Sequence, residues 1–365
     1  MKNYNRSAAP CRDVIFVSNA LADGGAARVL CLLADQFARW GHCVEVLSFR
    51  PCDGEYSLRR EVTKSYCPDN RNSPTAKLRR IFWIRKQLKS HPDATVIAFE
   101  YFVNMQVLIA CIGLSNRVIV SERNDPARVG SAPRTAFLRR YLYRRAFALV
   151  CQTNEAAAYF SEAISKTVIL NPLNPDLPLP IETGRRKTIV TFCRLEEQKN
   201  LGMLIRAFAE FHQTHTSYTL EIHGNGSQRG ALVALRDSLG LNDSVRILPA
   251  RSDIHNVVRD CAMFVLPSDY EGLSNSMIEA MALGVPTICT DCPCGGARMI
   301  IENGKNGLLV PVGDTTALVA AISKLADDPC LAYRISQAGM LIRSRLSIDQ
   351  ISAEWAQLAI GRPRG

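Results

Sequence analysis

An alternation that runs twice along the chain constrains its fold more than any other feature. Short, β-branched segments such as VIFVS at 14–18 are each followed by a longer segment with apolar residues at helical spacing. In the first of these, Leu30, Leu33, Phe37 and Trp40 form one stripe over 26–40, and Gly41 ends it. The pattern predicts strands at 14–18, 43–49, 95–99, 117–121, 147–152 and 167–170, with helices at 26–40, 76–89, 102–111, 134–146 and 154–162. It then breaks. Residues 171–187 hold four prolines between Pro172 and Pro180, which neither a helix interior nor a central strand tolerates. The alternation restarts with strands at 188–192, 218–223, 244–248, 262–266, 286–290 and 307–310. Helices are expected at 200–212, 229–239, 253–259, 276–283, 296–302, 314–327, 329–342 and 347–359. Short apolar strands between longer helices specify α/β domains with parallel sheets covered on both faces. The expected division is an N-terminal domain over 1–175, a Pro-rich linker over 176–187, a second domain over 188–345 and a C-terminal helix over 346–365.

No apolar run approaches the ~18 residues of a membrane span; the longest, 107–114, is far shorter. The opening MKNYNRSAAP is polar and does not read as a signal peptide, so a cytoplasmic location is expected. The thirteen cysteines then read as reduced core thiols, Cys31, Cys43, Cys111, Cys151, Cys193 and Cys261 among them. Lys and Arg outnumber Asp and Glu by 44 to 34, and the whole excess lies in the first half: 25 against 15 over 1–178, and 19 against 19 beyond. Two runs concentrate it, KLRRIFWIRKQLK from Lys77 to Lys89 and RTAFLRRYLYRR from Arg134 to Arg145. Both mix bases with large apolar residues. Such helices either pack on a sheet with the basic face in water or lie on an anionic membrane, peripheral to its inner face. A nucleic-acid partner is not expected, because no zinc finger, helix-turn-helix or RNA-reading motif accompanies the charge.

Five polar clusters fall where a parallel sheet places its ligands, after strands. Asp23-Gly24-Gly25-Ala26 precedes the first helix, where backbone N–H groups attract an anion; a ligand-free turn is the alternative. Arg194 and Lys199 suit a diphosphate, unless solvent or Glu196 and Glu197 satisfy them. His223-Gly224-Asn225-Gly226 offers a second backbone surface. In SDYEGLSNSMIE, Glu271 and Glu279 stand eight apart, with Gly272, Leu273, Ser274 and Asn275 leading into a helix expected to begin near Ser276. The N–H groups there favour phosphate. Equally, Ser276 and Glu279 fit a Ser-x-x-Glu capping box. Arg123, Asn124 and Asp125 follow the 117–121 strand, as acceptor-side contacts or a solvated loop. Cys289, Cys292 and Cys294 lack the second pair or nearby His that a zinc site needs, so no metal is expected.

Taken together, LADGGAARVL, VIVSERNDP, ILNPLN, FCRLEEQKNLGMLIRAF, LEIHGNG, YEGLSNSMIEAMALGVPTICTDCP and NGLLVPVGD resemble the retaining glycosyltransferases of family 4, the group 1 class. The resemblance runs over nearly the whole chain, and Glu271-x7-Glu279 is its specific part. It implies a GT-B fold, two Rossmann-like domains facing across a cleft, and a nucleoside-diphosphate sugar, a UDP-sugar by expectation, as donor. It implies Arg194 and Lys199 on the diphosphate, Glu271 on the donor sugar, Glu279 on the ribose, Gly25 and its neighbours over the phosphates, and 249–254 beside the base. Trp355 is expected on a last helix that braces the first domain. No metal or other cofactor is implied, since fixed cations and N–H groups stabilise the leaving charge. The acceptor implied is a saccharide on a polyprenyl diphosphate, in bacterial surface-polysaccharide or lipid-linked oligosaccharide synthesis, with a soluble sugar and no membrane contact as the alternative. A non-catalytic nucleotide-sugar or anionic-lipid binding module on the same scaffold is the alternative. The chain departs from the family at 291–300, where DCPCGGARMI has Gly296 for a usual Pro, Ala297 for Arg and Arg298 for Glu.

Overall fold

The computed structural model describes residues 14–361 except 23, 70, 72, 182 and 183. The N-terminal residues read as no signal peptide, Asp23 of the glycine turn, and Glu182 and Thr183 of the linker lie outside the described residues. The chain forms two compact units: one ends at Pro172 and regains the chain from Ile348, and the other spans Leu173–Ser347.

The first unit holds β1 (Val14–Ser18), α1 (Gly25–Arg39), β2 (Val44–Ser48), β3 (Thr63–Tyr66), α2 (Pro74–Ser90), β4 (Thr95–Phe99), α3 (Tyr101–Ala110), β5 (Arg117–Ser121), α4 (Pro133–Tyr143), β6 (Ala148–Cys151), α5 (Asn154–Ala158) and β7 (Lys166–Val168). Its seven parallel strands run in the order β3-β2-β1-β4-β5-β6-β7. All five residues of β1 and of β4 are buried, as a strand covered on both faces requires. The edge strand β3 was not expected. Its TKSY carries no apolar pattern, and it exists because β2 offers it a free edge.

The second unit holds β8 (Arg186–Phe192), α6 (Leu201–His212), β9 (Thr219–His223), α7 (Arg229–Ser238), β10 (Val245–Leu248), α8 (Ile254–Val258), β11 (Cys261–Leu266), α9 (Asn275–Ala282), β12 (Thr287–Thr290), β13 (Leu308–Val310), α10 (Thr315–Asp327), α11 (Pro329–Met340) and α12 (Ile342–Arg345). Its six parallel strands run β10-β9-β8-β11-β12-β13. One face is a continuous core in which Ile189, Leu220, Ile222 and Val265 meet Leu204, Phe208 and Phe211 of α6. Residues 296–300, expected to begin a short helix, form turns. The reason is local: Gly295 has φ 78°, and a Cβ on Gly296 would lie 1.7 Å from the Gly272 carbonyl oxygen, so this loop packs backbone to backbone.

The last helix, α13 (Ile348–Ile360), belongs to the first unit. Trp355 is fully buried, with its ring 5.5 Å from that of Phe99. Gln36 Nε2 donates to Asp349 (2.7 Å) and Thr95 Oγ1 to the Ala359 carbonyl (2.9 Å). The Pro-rich stretch begins inside the second unit, where Arg343 donates to the carbonyls of Leu177 and Pro178. Its expected end at 187 overlaps β8 by two residues.

Candidate active site

In each unit the strand order reverses beside the first strand, β1 or β8, and ligand sites of open parallel sheets form at the carboxyl ends around that point. In the second unit β8 and β11 are neighbours there, and the loops that follow them are laced together. Asp269 N donates to the Gln198 carbonyl (2.9 Å), Gln198 Nε2 to the Tyr270 carbonyl (2.8 Å), and Asn200 Nδ2 to Asp269 (2.7 Å). Asn200 holds a left-handed conformation, φ 44°, to make that turn.

This lacing delivers Lys199 to Glu271. The two form an ion pair, and Ser268 Oγ donates to the same carboxylate oxygen (2.8 Å). Lys199 is buried. Burial alone would push its ammonium down, but the charges of Glu271 and Cys193 and the hydrogen bond to Glu271 outweigh it and hold it above the usual lysine range. Its partner is therefore neither Glu196 nor Glu197: Glu196 instead accepts from Ser227 Oγ (2.8 Å). Arg194 is exposed at the same strand end. The loop after β9 completes the edge. Leu195 N donates to the Asn225 carbonyl (2.8 Å), and a Cβ on Gly224 would stand 1.9 Å from the Cys193 carbonyl oxygen, so only glycine fits. Gly226 follows, exposed.

Ser274, not Ser276, caps α9, its Oγ accepting from Met277 N (3.4 Å). The alternative reading of Glu279, a capping box with Ser276, is thus not formed. With the helix starting at Asn275, Glu279 falls beyond its first turn, too far to reach back to the cap. Its buried carboxylate meets His255 Nε2 of α8 at 3.0 Å. Gly272, Leu273, Ser274 and Asn275 carry the chain between the two glutamates, and the first three are buried. His255 was not singled out from the sequence; nothing local pairs it with a residue 24 positions on. Within the second unit, then, Arg194, Lys199, Gly224, Gly226, Glu271–Asn275 and Glu279 share one sheet edge.

In the first unit Gly24 and Gly25 open α1 directly after β1, and Arg28 N donates to the Gly24 carbonyl (3.2 Å). Glu100, between β4 and α3, has φ 76°, an outlier at the point where the strand order reverses. Arg123, Asn124 and Asp125 follow β5. The Arg123 guanidinium donates to Asn171, lies 4.6 Å from the Phe99 ring centre, and is pushed down to about 9 by burial. Asn124 Oδ1 accepts from Asp125 N (2.8 Å) and Asp125 Oδ1 from Ala127 N (2.9 Å), so both side chains shape the loop.

The basic runs are less available than their sequence suggests. Arg139 is fully buried. It donates to the carbonyls of Pro126 (2.7 Å) and Val129 (2.9 Å) and lies 3.7 Å from Glu122. Burial pushes the Glu122 carboxyl up to about 7, against the pull of Arg139 and of the Tyr143 hydroxyl, which donates to it. Arg80 is buried against the Asp69 and Arg71 carbonyls, and Arg85 donates to those of Ala110 and Ile112. What remains outward on α4 and just after it is Arg134, Phe137, Leu138, Arg140, Tyr141, Arg144 and Arg145. No helix among the described residues is long and apolar enough to cross a membrane.

Cys289, Cys292 and Cys294 are buried, and Cys292 Sγ donates to the Ser268 carbonyl (3.2 Å). Among the described residues no group of three or more His, Cys, Asp or Glu is placed to hold a metal ion. The expectation of core thiols fails at Cys43, just before β2, and at Cys330, which are exposed, and holds only in part at Cys52, Cys111 and Cys193, which are half-buried. Arg298, in the departing segment, pairs with Asp291 (2.7 Å), while Ala297 is buried.

The sequence pattern of the family described as "Glycosyl transferases group 1" matches residues 186–328, and that of the "Glycosyl transferase 4-like domain" matches 24–167. An exopolysaccharide phosphotransferase of Streptomyces coelicolor is 33% identical over 219 residues, 58% of this chain; the match spans only 23% of that protein's length. The GalNAc-α-(1→4)-GalNAc-α-(1→3)-diNAcBac-PP-undecaprenol α-1,4-N-acetyl-D-galactosaminyltransferase of Campylobacter jejuni is 25% identical over 355 residues, covering 94% of this chain and 97% of that one. The crystal structure of Anabaena HepE in complex with UDP and glucose superposes with a TM-score of 0.81 at 18% identity, covering 94% of this chain and 98% of that chain. With both halves of the chain matched and the two parallel-sheet units of a GT-B fold in place, the chain belongs to the group 1 glycosyltransferases.

Proposed function

We propose that this glycosyltransferase moves a hexose or N-acetylhexosamine from a nucleoside diphosphate, UDP by first choice, to a saccharide carried on a polyprenyl diphosphate, with retention of anomeric configuration. It would serve bacterial surface-polysaccharide or lipid-linked oligosaccharide synthesis. The observation that carries the reading is the Lys199–Glu271 ion pair at the joined carboxyl ends of β8 and β11, with Arg194 exposed beside it and the α9 N-terminus following. Cleaving a sugar–phosphate bond builds charge on the leaving diphosphate. Arg194, Lys199 and the N–H groups leading into α9 are the fixed positive groups that such charge needs, and in this proposal they act without a divalent ion. Glu271 orients the donor sugar through its hydroxyls, and Glu279 binds the ribose. The leaving phosphate accepts the acceptor's proton in a front-face attack. A UDP donor draws support from Anabaena HepE, whose structure holds UDP. A lipid-linked acceptor draws support from the Campylobacter relative, whose name specifies an undecaprenol-linked substrate.

The test is a donor screen that reads released nucleoside diphosphate, with lipid-linked and free sugar acceptors in parallel. Release from a UDP-sugar only when a polyprenyl-diphosphate saccharide is present is the expected result. Failure to bind any nucleoside diphosphate would sink the transfer reading, and binding without turnover would leave a non-catalytic module.

The same proposal puts the enzyme at the inner face of the membrane, held by the outward residues around α4. Phe137 is 74% and Tyr141 56% exposed among bases, the mixture that binds an anionic interface. Replacing Arg134, Arg140, Arg144 and Arg145 by alanine is expected to weaken sedimentation with anionic vesicles more than tenfold, each base near the surface contributing about 1 kcal/mol. Unchanged sedimentation would make them ordinary solvated surface.

A further inference from the structure

Glu279 is 2% exposed, and a carboxylate so deeply placed is defined by what holds it. His255 meets it from α8, with Nε2 3.0 Å from Oε2. An ionised carboxylate only accepts, so the imidazole N–H donates. The imidazole is itself held. Its ring stands edge-on to Phe192, centroids 6.0 Å apart, and Phe192 packs edge-on against Phe264 at 5.3 Å. Ile254 and Val258, on either side of His255, bury α8 in the domain. The chain of support thus runs from the aromatic pair at β8 and β11 through the imidazole to one carboxylate oxygen. Folding of α9 does not call for it: Ser274 caps that helix, and Met277, Ile278 and Met281 bury its apolar face. A buried charged contact is weak evidence of stability and serves better to fix an orientation.

We infer that His255 is a positioning residue for the donor's ribose: by holding Oε2 of Glu279 it sets the plane in which that carboxylate accepts ribose hydroxyls, and with it the preference for ribose over 2′-deoxyribose. This rests on the role proposed above for Glu279. A carboxylate that rotates freely accepts from whatever hydroxyl is present, whereas one held by a fixed donor rewards a hydroxyl at one place only.

The test is calorimetric titration of the full chain with UDP, 2′-deoxy-UDP, GDP and 2′-deoxy-GDP, together with donor and acceptor KM values. The wild type is expected to favour the ribose form of its nucleotide at least tenfold. His255→Phe, which keeps a ring against Phe192 but has no donor, is expected to reduce that preference to under threefold and to raise the donor KM, leaving the acceptor KM unchanged. His255→Gln, whose amide N–H can reach Oε2, is expected to restore most of the preference. A His255→Phe enzyme that keeps the tenfold preference, at whatever overall affinity, overturns the inference, as does a wild type that binds both sugars equally. A wild type that binds none of the four probes overturns this inference, and the transfer reading falls with it if ADP, CDP and dTDP are not bound either.

Discussion

Glu271→Ala is expected to lower turnover by about 10²–10³-fold, the scale of losing one fixed group at a site of developing charge. The same change removes the counter-ion of buried Lys199, leaving its ammonium beside Cys193 and within the repulsive field of Arg194. Stranding a buried charge costs about 3 kcal/mol, and in a domain of this size that lowers the melting temperature by roughly 6–12 °C. Activity and stability therefore fall together, and the single variant does not separate them. Adding Lys199→Met does. With no charge left to strand, the double variant is expected to regain most of the lost stability while turnover stays at the level of Glu271→Ala or below. The measurements are released nucleoside diphosphate and thermal unfolding on the same preparations. Turnover within tenfold of wild type in Glu271→Ala would remove this residue from the chemistry, whatever happened to the melting temperature.

Arg139→Ala, by contrast, is expected to act wholly on the fold. The guanidinium is fully buried, bonds two carbonyls of the 126–129 loop, faces Glu122, and lies 5.4–5.8 Å from the ring centres of Tyr101, Tyr159 and Phe160. Removing it leaves Glu122 buried without its cation, a loss of about 3–5 kcal/mol. Arg139→Lys should recover little, because a single ammonium nitrogen cannot reproduce a planar fork whose two nitrogens each bond one carbonyl among aromatic rings. Its exposed neighbour is the control: Arg140→Ala, which loses a contact 4.6 Å from the Tyr159 ring centre, should change stability by no more than about 1 kcal/mol. Denaturant unfolding of the three variants checks this. Equal stability of Arg139→Ala and Arg140→Ala would mean that the buried network contributes nothing.

These two residues also mark where linear patterns stop being informative. Glu271 was legible: a carboxylate eight before another, in a glycine-containing loop after an apolar strand, is a spacing that a chain displays on its face. Arg139 was not. It sits in RTAFLRRYLYRR beside Arg140, and composition cannot say which of two adjacent bases turns inward. The choice is made by helical phase against α3, and by carbonyls of a loop ten to thirteen residues upstream that no periodicity announces. Ser274 and Ser276 pose the same difficulty at smaller scale: both can cap a helix, and the packing of Gly296 against the Gly272 carbonyl helps set where that loop lies.

Strand–helix alternation, the proline-rich break at 172–180 and the positions of polar clusters after strands came from the order of residues alone. They depend on period and backbone freedom, which are local quantities. The strand order, the pairing of Lys199 with Glu271 across 72 residues and the grip of His255 on Glu279 did not. Those were decided when the sheet brought β8 and β11 side by side, because a buried charge takes its partner from whichever group the fold sets within hydrogen-bonding reach.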